Sequence, residues 1–249
     1  MYLSDRSFKE WSNVRKSLLY GAILFVLSGV GVSIWITLAI TPKDKLAIDE
    51  TAFAVVQAIY VPGAAAFLQG ISKLGSVMVL AIASVLILVY FLFSSSFSRL
   101  MAMYFAIAMV GVSGITKLMK SLTSRDRPEF LGGYDGMTSS YPSGHTSGAV
   151  VFYGFLIYII GAQTIGRKWK WAIHTLLILI ISGISFSRVY LGVHYFTDVV
   201  SGIFLGCLWL FLCVIGAELT LRRKAKKEKE EAAGMNEFSP LFKEANSDD

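Results

Sequence analysis

An all-α, polytopic membrane protein with six transmembrane helices is the fold class this sequence predicts, on three observations. The chain is 55% hydrophobic and only 16% charged over 249 residues, where a soluble domain carries about 25% charged residues. The deficit is concentrated in apolar runs of about 20 residues, the length that crosses ~30 Å of hydrocarbon. The basic residues gather in short flanks and one tail, as the positive-inside rule expects. Length leaves room for one membrane domain, and the embedded part shows no strand signal and no internal repeat.

Residues 1–17 are polar and mildly basic (Arg6, Lys9, Arg15, Lys16) and read as a cytoplasmic N-terminal segment. The run Leu18 to Ile40 has 23 residues without a charge. A secretory signal peptide has a shorter apolar region and a small-residue cleavage site, so this run reads as a retained first span. Pro42, Lys43, Asp44 and Lys45 make a turn. The stretch 46–71 is apolar but carries Asp49, Glu50, Gln57 and Gln69, with Pro62-Gly63 breaking its middle. It reads as an interfacial or re-entrant segment. Apolar runs at about 75–93, 99–119, 146–162, 171–187 and 196–217 complete six spans within a membrane domain at 18–219.

Charge fixes the orientation. With the N-terminus inside, the inner segments are 1–17, the turn near Arg99, the loop Arg167-Lys168-Trp169-Lys170 and the tail, and all are basic. A seventh span at 46–71 would put the Arg167 loop and the tail outside, against the rule. Residues 220–249 then form a charged cytoplasmic tail: a helix through RRKAKKEKEEAA, then a polar end with the composition of disorder. The tail fits a topology anchor, or a contact with anionic lipid.

The net charge of +6 is explained by this topology, which makes nucleic acid a poor partner. Cys207 and Cys213 lie six residues apart in one apolar run, about 9 Å along a helix axis. That is too far for a disulfide, and both read as buried small hydrophobes.

The long loop 120–145 and the turn 188–195 fall on the outer face. Three polar clusters lie there. Lys120-Ser-Leu-Thr-Ser-Arg-Asp-Arg127-Pro128 places Lys120 and Arg127 seven apart, nearly one helical face, until Pro128 stops the segment. Tyr141-Pro142-Ser143-Gly144-His145 reads as a tight turn feeding a helix N-terminus, which favours an anion. Gly144 lets the backbone come close, Ser143 adds a hydroxyl, and His145 could donate a proton. Ser187 to Asp198, SRVYLGVHYFTD, sets Arg188 six residues before His194, with Gly192 between to let the chain turn. His194 and Asp198 are four apart and share a face if helical. Asp198 could then accept the Nδ1 proton and leave Nε2 free to attack. A guanidinium suits a phosphate. Each cluster has a plainer reading: a snorkelling helix end, an ordinary N-cap turn, a capped histidine. Three cations, a serine, two histidines and an aspartate converging from three loops on one face favour a site.

The order and spacing resemble a family. KSLTSRDRP matches KxxxxxxRP, PSGH matches PSGH, and SRVYLGVHYFTD matches SRxxxxxHxxxD. The chain resembles the type-2 phosphatidic acid phosphatase superfamily, in its integral-membrane lipid phosphatase branch, over roughly residues 75–217. The resemblance implies that Lys120, Arg127 and Arg188 hold the phosphoryl oxygens, with Ser143 and the Gly144 amide completing the cradle. His194 would be the nucleophile, Asp198 would orient and charge-balance it, and His145 would be the general acid. It implies no metal and no other cofactor, in keeping with a sequence that offers no carboxylate cluster of the kind Mg²⁺ uses.

The expected partner is a membrane lipid phosphate: undecaprenyl pyrophosphate, phosphatidylglycerophosphate or phosphatidic acid. The expected location is a bacterial plasma membrane with both termini cytoplasmic and the site on the extracytoplasmic face. Nothing in the sequence speaks to oligomeric state. Three rivals remain: a phosphotransferase using the same motifs, a haloperoxidase with a similar anion pocket, and a lipid-phosphate binding or transport protein. Haloperoxidases of that kind are soluble, and a binding protein has no need of both histidines and Asp198.

Overall fold

The computed structural model describes residues 13–40, 46–94, 99–128 and 139–245. Among them the chain forms eight helices and no strand. These are α1 (Asn13–Ala39), α2 (Ala47–Ala58), α3 (Pro62–Lys73), α4 (Val77–Phe93), α5 (Arg99–Thr123), α6 (Gly144–Ala162), α7 (Arg167–Tyr190) and α8 (Phe196–Ala245). Most of the N-terminal segment (1–12), the expected turn at 41–45, the middle of the outer loop (129–138) and the last residues of the tail (246–249) lie outside the described residues.

Five stretches among the described residues are long and apolar enough to cross a membrane: Pro62–Phe93, Arg99–Thr123, Gly144–Ala162, Arg167–Tyr190 and Phe196–Glu228. The described apolar part of α1, Ile23–Ala39, is shorter. Large apolar side chains face outward, among them Phe93, Leu38 and Val110 at 87%, 81% and 73% exposure. A water-soluble protein would bury such a continuous apolar exterior; hydrocarbon is the solvent that suits it.

Helix α6 is the centre of the bundle. More than half of its apolar window (56%) is buried, against 17–28% for the other four stretches. It packs between α5, α7 and α8. Phe152 and Phe155 of α6 meet Phe105 of α5 with ring centroids 6.0 and 5.2 Å apart. On the α8 side the contact is closer still. A Cβ on Gly202 would stand 2.9 Å from the Ser143 carbonyl, and one on Gly206 would stand 2.8 Å from Val150 Cβ. This small-xxx-small spacing lets two backbones approach, the usual device where lipid supplies no hydrophobic drive between helices. It brings the first turns of α6 and α8 together.

The stretch 46–71 is two helices, not one. Pro62 opens α3 at its first turn, where a missing N–H costs nothing. Each helix has twelve residues, about 18 Å, too short alone for the hydrocarbon core. Helix α3 continues through a turn at Leu74 to Ser76 into α4. At the other end, α8 runs through the charged stretch expected to be helical and on to Ala245, into the polar end whose composition suggested disorder. Exposed Lys224–Glu228, Lys226–Glu230 and Lys227–Glu231 pairs line that stretch at 3.8, 3.5 and 3.6 Å. They run Lys before Glu, the less favourable order, and contribute little.

Candidate active site

The three polar clusters lie at one end of the bundle, each positioned by a helix end. Helix α5 stops at Thr123, and Ser124 takes a left-handed conformation (φ 47°). Lys120 is therefore helical while Arg127 is not. The two converge because the chain turns, and the seven-residue helical spacing expected from sequence is not what aligns them. Lys120 Nζ donates to the Ser139 carbonyl. Arg127 Nη1 donates to the Val193 carbonyl at 3.0 Å, tying the first cluster to the third.

Ser143 is the N-cap of α6, and Gly144 and His145 are its first residues. The Ser143 hydroxyl caps no amide of its own helix; it accepts the Thr146 hydroxyl at 3.0 Å. The first-turn amides have no acceptor within the helix. The Ser143 N–H itself donates to the Asp198 carbonyl at 3.0 Å. A Cβ on Gly144 would meet only Thr116 Cγ2, at 3.4 Å. Packing inside the protein does not demand glycine there, whereas close approach by a ligand would.

Arg188 ends α7. Leu191 caps the helix, and Gly192 at φ 62° reverses the chain, a conformation glycine adopts freely. The reversal lets the N–H groups of Val193 and His194 both donate to the Arg188 carbonyl, at 3.2 Å. The arginine and the histidine are thereby set side by side. Arg188 Nη1 also donates to Ser72 Oγ of α3 at 2.6 Å.

His194 precedes α8 and Asp198 lies in its first turn, so the expected shared helical face is replaced by a capping geometry. Asp198 Oδ2 accepts the Tyr195 N–H at 2.9 Å and the Ser140 hydroxyl, and faces His194 Nδ1 at 3.3 Å. The ring and the carboxylate are almost fully buried. Burial pushes the His194 imidazole down to about 4; Asp198 opposes this, and Arg188 and Arg127 add to it. The ring is neutral near pH 7. A carboxylate accepts only, so the neutral ring donates from Nδ1 and presents the Nε2 lone pair. His145 lies within electrostatic reach of His194, Arg188, Arg127 and Lys120. All eight residues singled out from sequence belong to one neighbourhood.

Sequence reasoning passed over four residues of this neighbourhood: Asp49, Arg125, Ser140 and Thr197. Arg125 Nη1 donates to Asp198 Oδ1 at 2.7 Å and its Nη2 to Asp49 Oδ2 at 2.7 Å, all three being buried. Asp49 was the visible signal. A carboxylate in an apolar stretch needs a partner, though the neighbouring Glu50 carried the same signal.

Cations and helix-start amides thus lie beside a buried histidine–aspartate pair at one end of a helix bundle whose apolar exterior suits a membrane, an arrangement with the chemistry to receive an anionic group. Residues 99–219 match the model of the PAP2 superfamily. It is 33% identical over 114 residues to phosphatidylglycerophosphatase B of Bacillus subtilis, covering 45% of this chain and 56% of that one. It is 38% identical over 78 residues to an undecaprenyl-diphosphatase of Sulfolobus acidocaldarius, covering 30% of this chain and 32% of that one. The chain thus spans less than two thirds of the length of either relative. Its fold superposes on the crystal structure of a transmembrane PAP2 type phosphatidylglycerolphosphate phosphatase from Bacillus subtilis. That match has a TM-score of 0.68 at 25% identity, over 80% of this chain and 96% of the other.

Proposed function

We propose that the protein is a membrane lipid phosphatase that hydrolyses a phosphomonoester or pyrophosphate of a lipid through a phosphohistidine. One observation carries the reading: His194, buried and neutral, faces Asp198 through Nδ1 while Arg188 and Arg127 stand beside it. Lys120, Arg127 and Arg188 neutralise the equatorial oxygens, and Ser143 and the Gly144 amide complete the cradle. A negatively charged phosphoryl group repels its attacker, so fixed donors are the main aid. His194 Nε2 forms a bond to phosphorus as the bond to the leaving oxygen breaks, and His145 gives that oxygen its proton. Water then attacks the phosphohistidine, His145 takes a proton from it, and phosphate leaves. The phosphoryl charge is met by protein cations, and no metal is assigned.

On this reading α1 is the first of six spans, both termini are cytoplasmic and the site is at the outer face. The short helices α2 and α3 lie at headgroup depth, and the charged tail stays inside. A lipid can present its phosphate there with its chains in the bilayer. The names of the relatives support phosphatidylglycerophosphate and undecaprenyl pyrophosphate as substrates, with phosphatidic acid beside them. An outward-facing site in a bacterial plasma membrane favours the polyprenyl pyrophosphate.

The test is phosphate release in detergent micelles containing EDTA, on the three lipids side by side, for the unaltered protein and His194→Ala. Release by the unaltered protein alone supports a metal-independent histidine phosphatase, and the order of rates names the substrate. Labelled phosphate retained on the quenched protein, and absent from His194→Ala, supports the covalent step. Folded protein that releases nothing from any lipid would sink the reading.

A further inference from the structure

Arg125 and Asp49 have no part in the chemistry above, yet their side chains are 1% and 0% exposed. Arg125 stands between two carboxylates. It reaches Asp198 Oδ1 and Asp49 Oδ2 at 2.7 Å each, and its guanidinium lies 4.1 Å from the centre of the Tyr195 ring. Arg125 Nη1 also donates to Thr197 Oγ1 at 2.9 Å. Asp49 in turn accepts the Thr197 N–H at 2.9 Å and the Thr197 hydroxyl at 2.8 Å. Helix α2 lies outside the 99–219 family match, and it is bonded to the residue that precedes Asp198.

The charges decide what this arrangement does. Asp49 and Asp198 bring two negative charges, and Arg125 brings one positive charge. A guanidinium owned by Asp198 alone would make a neutral pair in a dry site, where Coulomb terms are strong. The imidazolium that forms on His194 would then lose its counter-ion. Shared with Asp49, the same guanidinium fixes the carboxylate geometrically and leaves it a negative field toward the ring.

We propose that Arg125 and Asp49 are positioning residues of the active site: Arg125 fixes the Asp198 carboxylate against His194, and Asp49 draws off part of the Arg125 charge so that Asp198 remains an effective counter-ion. This rests on His194 as the nucleophile. The other polar and charged groups facing His194 are the Ser140 hydroxyl, Arg188 from α7, Arg127 from the segment after α5, and His145 at the start of α6. None is altered in the variants below, so any shift traces to the Asp49–Arg125 pair.

The test uses the full chain in detergent micelles, as Asp49→Asn and as the double variant Asp49→Asn/Arg125→Met. The amide of Asp49→Asn keeps an acceptor for Thr197, and the double variant leaves no unpaired cation. The His194 ring is titrated by nitrogen NMR of histidine-labelled protein, its signal identified with His194→Ala. In parallel kcat and KM are measured on a lipid phosphate. In Asp49→Asn the guanidinium belongs to Asp198 alone. The titration moves to lower pH by on the order of one unit, and kcat falls roughly tenfold while KM holds. In the double variant Asp198 faces the ring uncancelled, and the titration moves to higher pH.

A structural staple would lower the melting temperature of both variants and leave the titration where it is, which overturns the proposal, as do shifts in one common direction. If the double variant does not fold, an unshifted titration in folded Asp49→Asn overturns it alone. Opposite titration shifts in a chain that releases no phosphate would uphold the coupling and remove the phosphatase reading.

Discussion

The Ser143 amide donates to the Asp198 carbonyl at 3.0 Å, so the N-terminus of α6 and the first turn of α8 are fastened to each other at the backbone. Gly202 makes that approach possible, since a Cβ there would sit 2.9 Å from the Ser143 carbonyl and 3.2 Å from Thr146 Cβ. Backbone cannot swing aside as a side-chain tip can. Gly202→Ala is expected to destabilise the protein by about 1–3 kcal/mol. It should lower kcat more than tenfold, because Ser143 and Asp198 move apart. Thermal unfolding in detergent and steady-state rates check this; unchanged rates in a folded Gly202→Ala protein would contradict it.

The buried neutral histidine gives a pH signature with a definite sign. Burial takes His194 from an ordinary 6.5 to about 4. Above pH 6.5 both folded and unfolded chains leave the ring neutral, and its full contribution to stability is present. Between 6.5 and 4 the unfolded chain binds a proton that the folded chain does not, so stability falls as pH falls, by about 3 kcal/mol in all. Melting temperature should drop across that window, and less so in His194→Asn. The acid limb of kcat/KM, set by the nucleophile, should lie well below 6.5. An acid limb at 6.5 or above would tell against a buried, neutral nucleophile.

Much of this was legible in the chain. Ser143-Gly144-His145 reads as a helix start because proline, serine and glycine set the turn, and Gly192 reads as the reversal that brings His194 back to Arg188. Both are local features, decided within a few residues. What was illegible depends on packing between distant segments. Arg125 and Arg127 look alike in sequence, yet one is buried between Asp49 and Asp198 while the other donates to the Val193 carbonyl. Pro128 marks Arg127 as the motif arginine, but no neighbouring residue marks Arg125 as the one that is buried. The Gly202 and Gly206 spacing was visible as composition, but its partner, the Ser143 to Val150 face of α6, exists only after the helices cross.

Arg127 tests geometry against charge. Its Nη1 donates to the Val193 carbonyl at 3.0 Å, and a guanidinium has further N–H groups with which to meet an oxyanion. Arg127→Lys keeps the charge but has a single nitrogen for both tasks. KM for the lipid phosphate should rise, and kcat/KM should fall on the order of 10²-fold, about 2.7 kcal/mol. The circular dichroism spectrum and melting temperature should change little. Parallel loss of melting temperature and activity would show instead that Arg127 holds the 193 loop in place and contacts no substrate.

Tyr190 ties the end of α7, next to the turn that carries His194, to the short helices. Its hydroxyl accepts the Val61 N–H at 2.7 Å, in the break between α2 and α3, and its ring stacks on Tyr60 with centroids 5.6 Å apart. Tyr190→Phe keeps the stack and leaves the Val61 amide without its acceptor, a loss of about 1 kcal/mol local to that break. If α2 and α3 frame lateral access for a lipid, the variant should change hydrolysis of a long-chain lipid phosphate at least threefold more than that of a short water-soluble phosphate ester. Gln57→Ala and Gln69→Ala, in the same helices, should act in the same sense. Equal changes on both substrates would mean that the break supports the Arg188–His194 turn alone and that lipid reaches the site by another face.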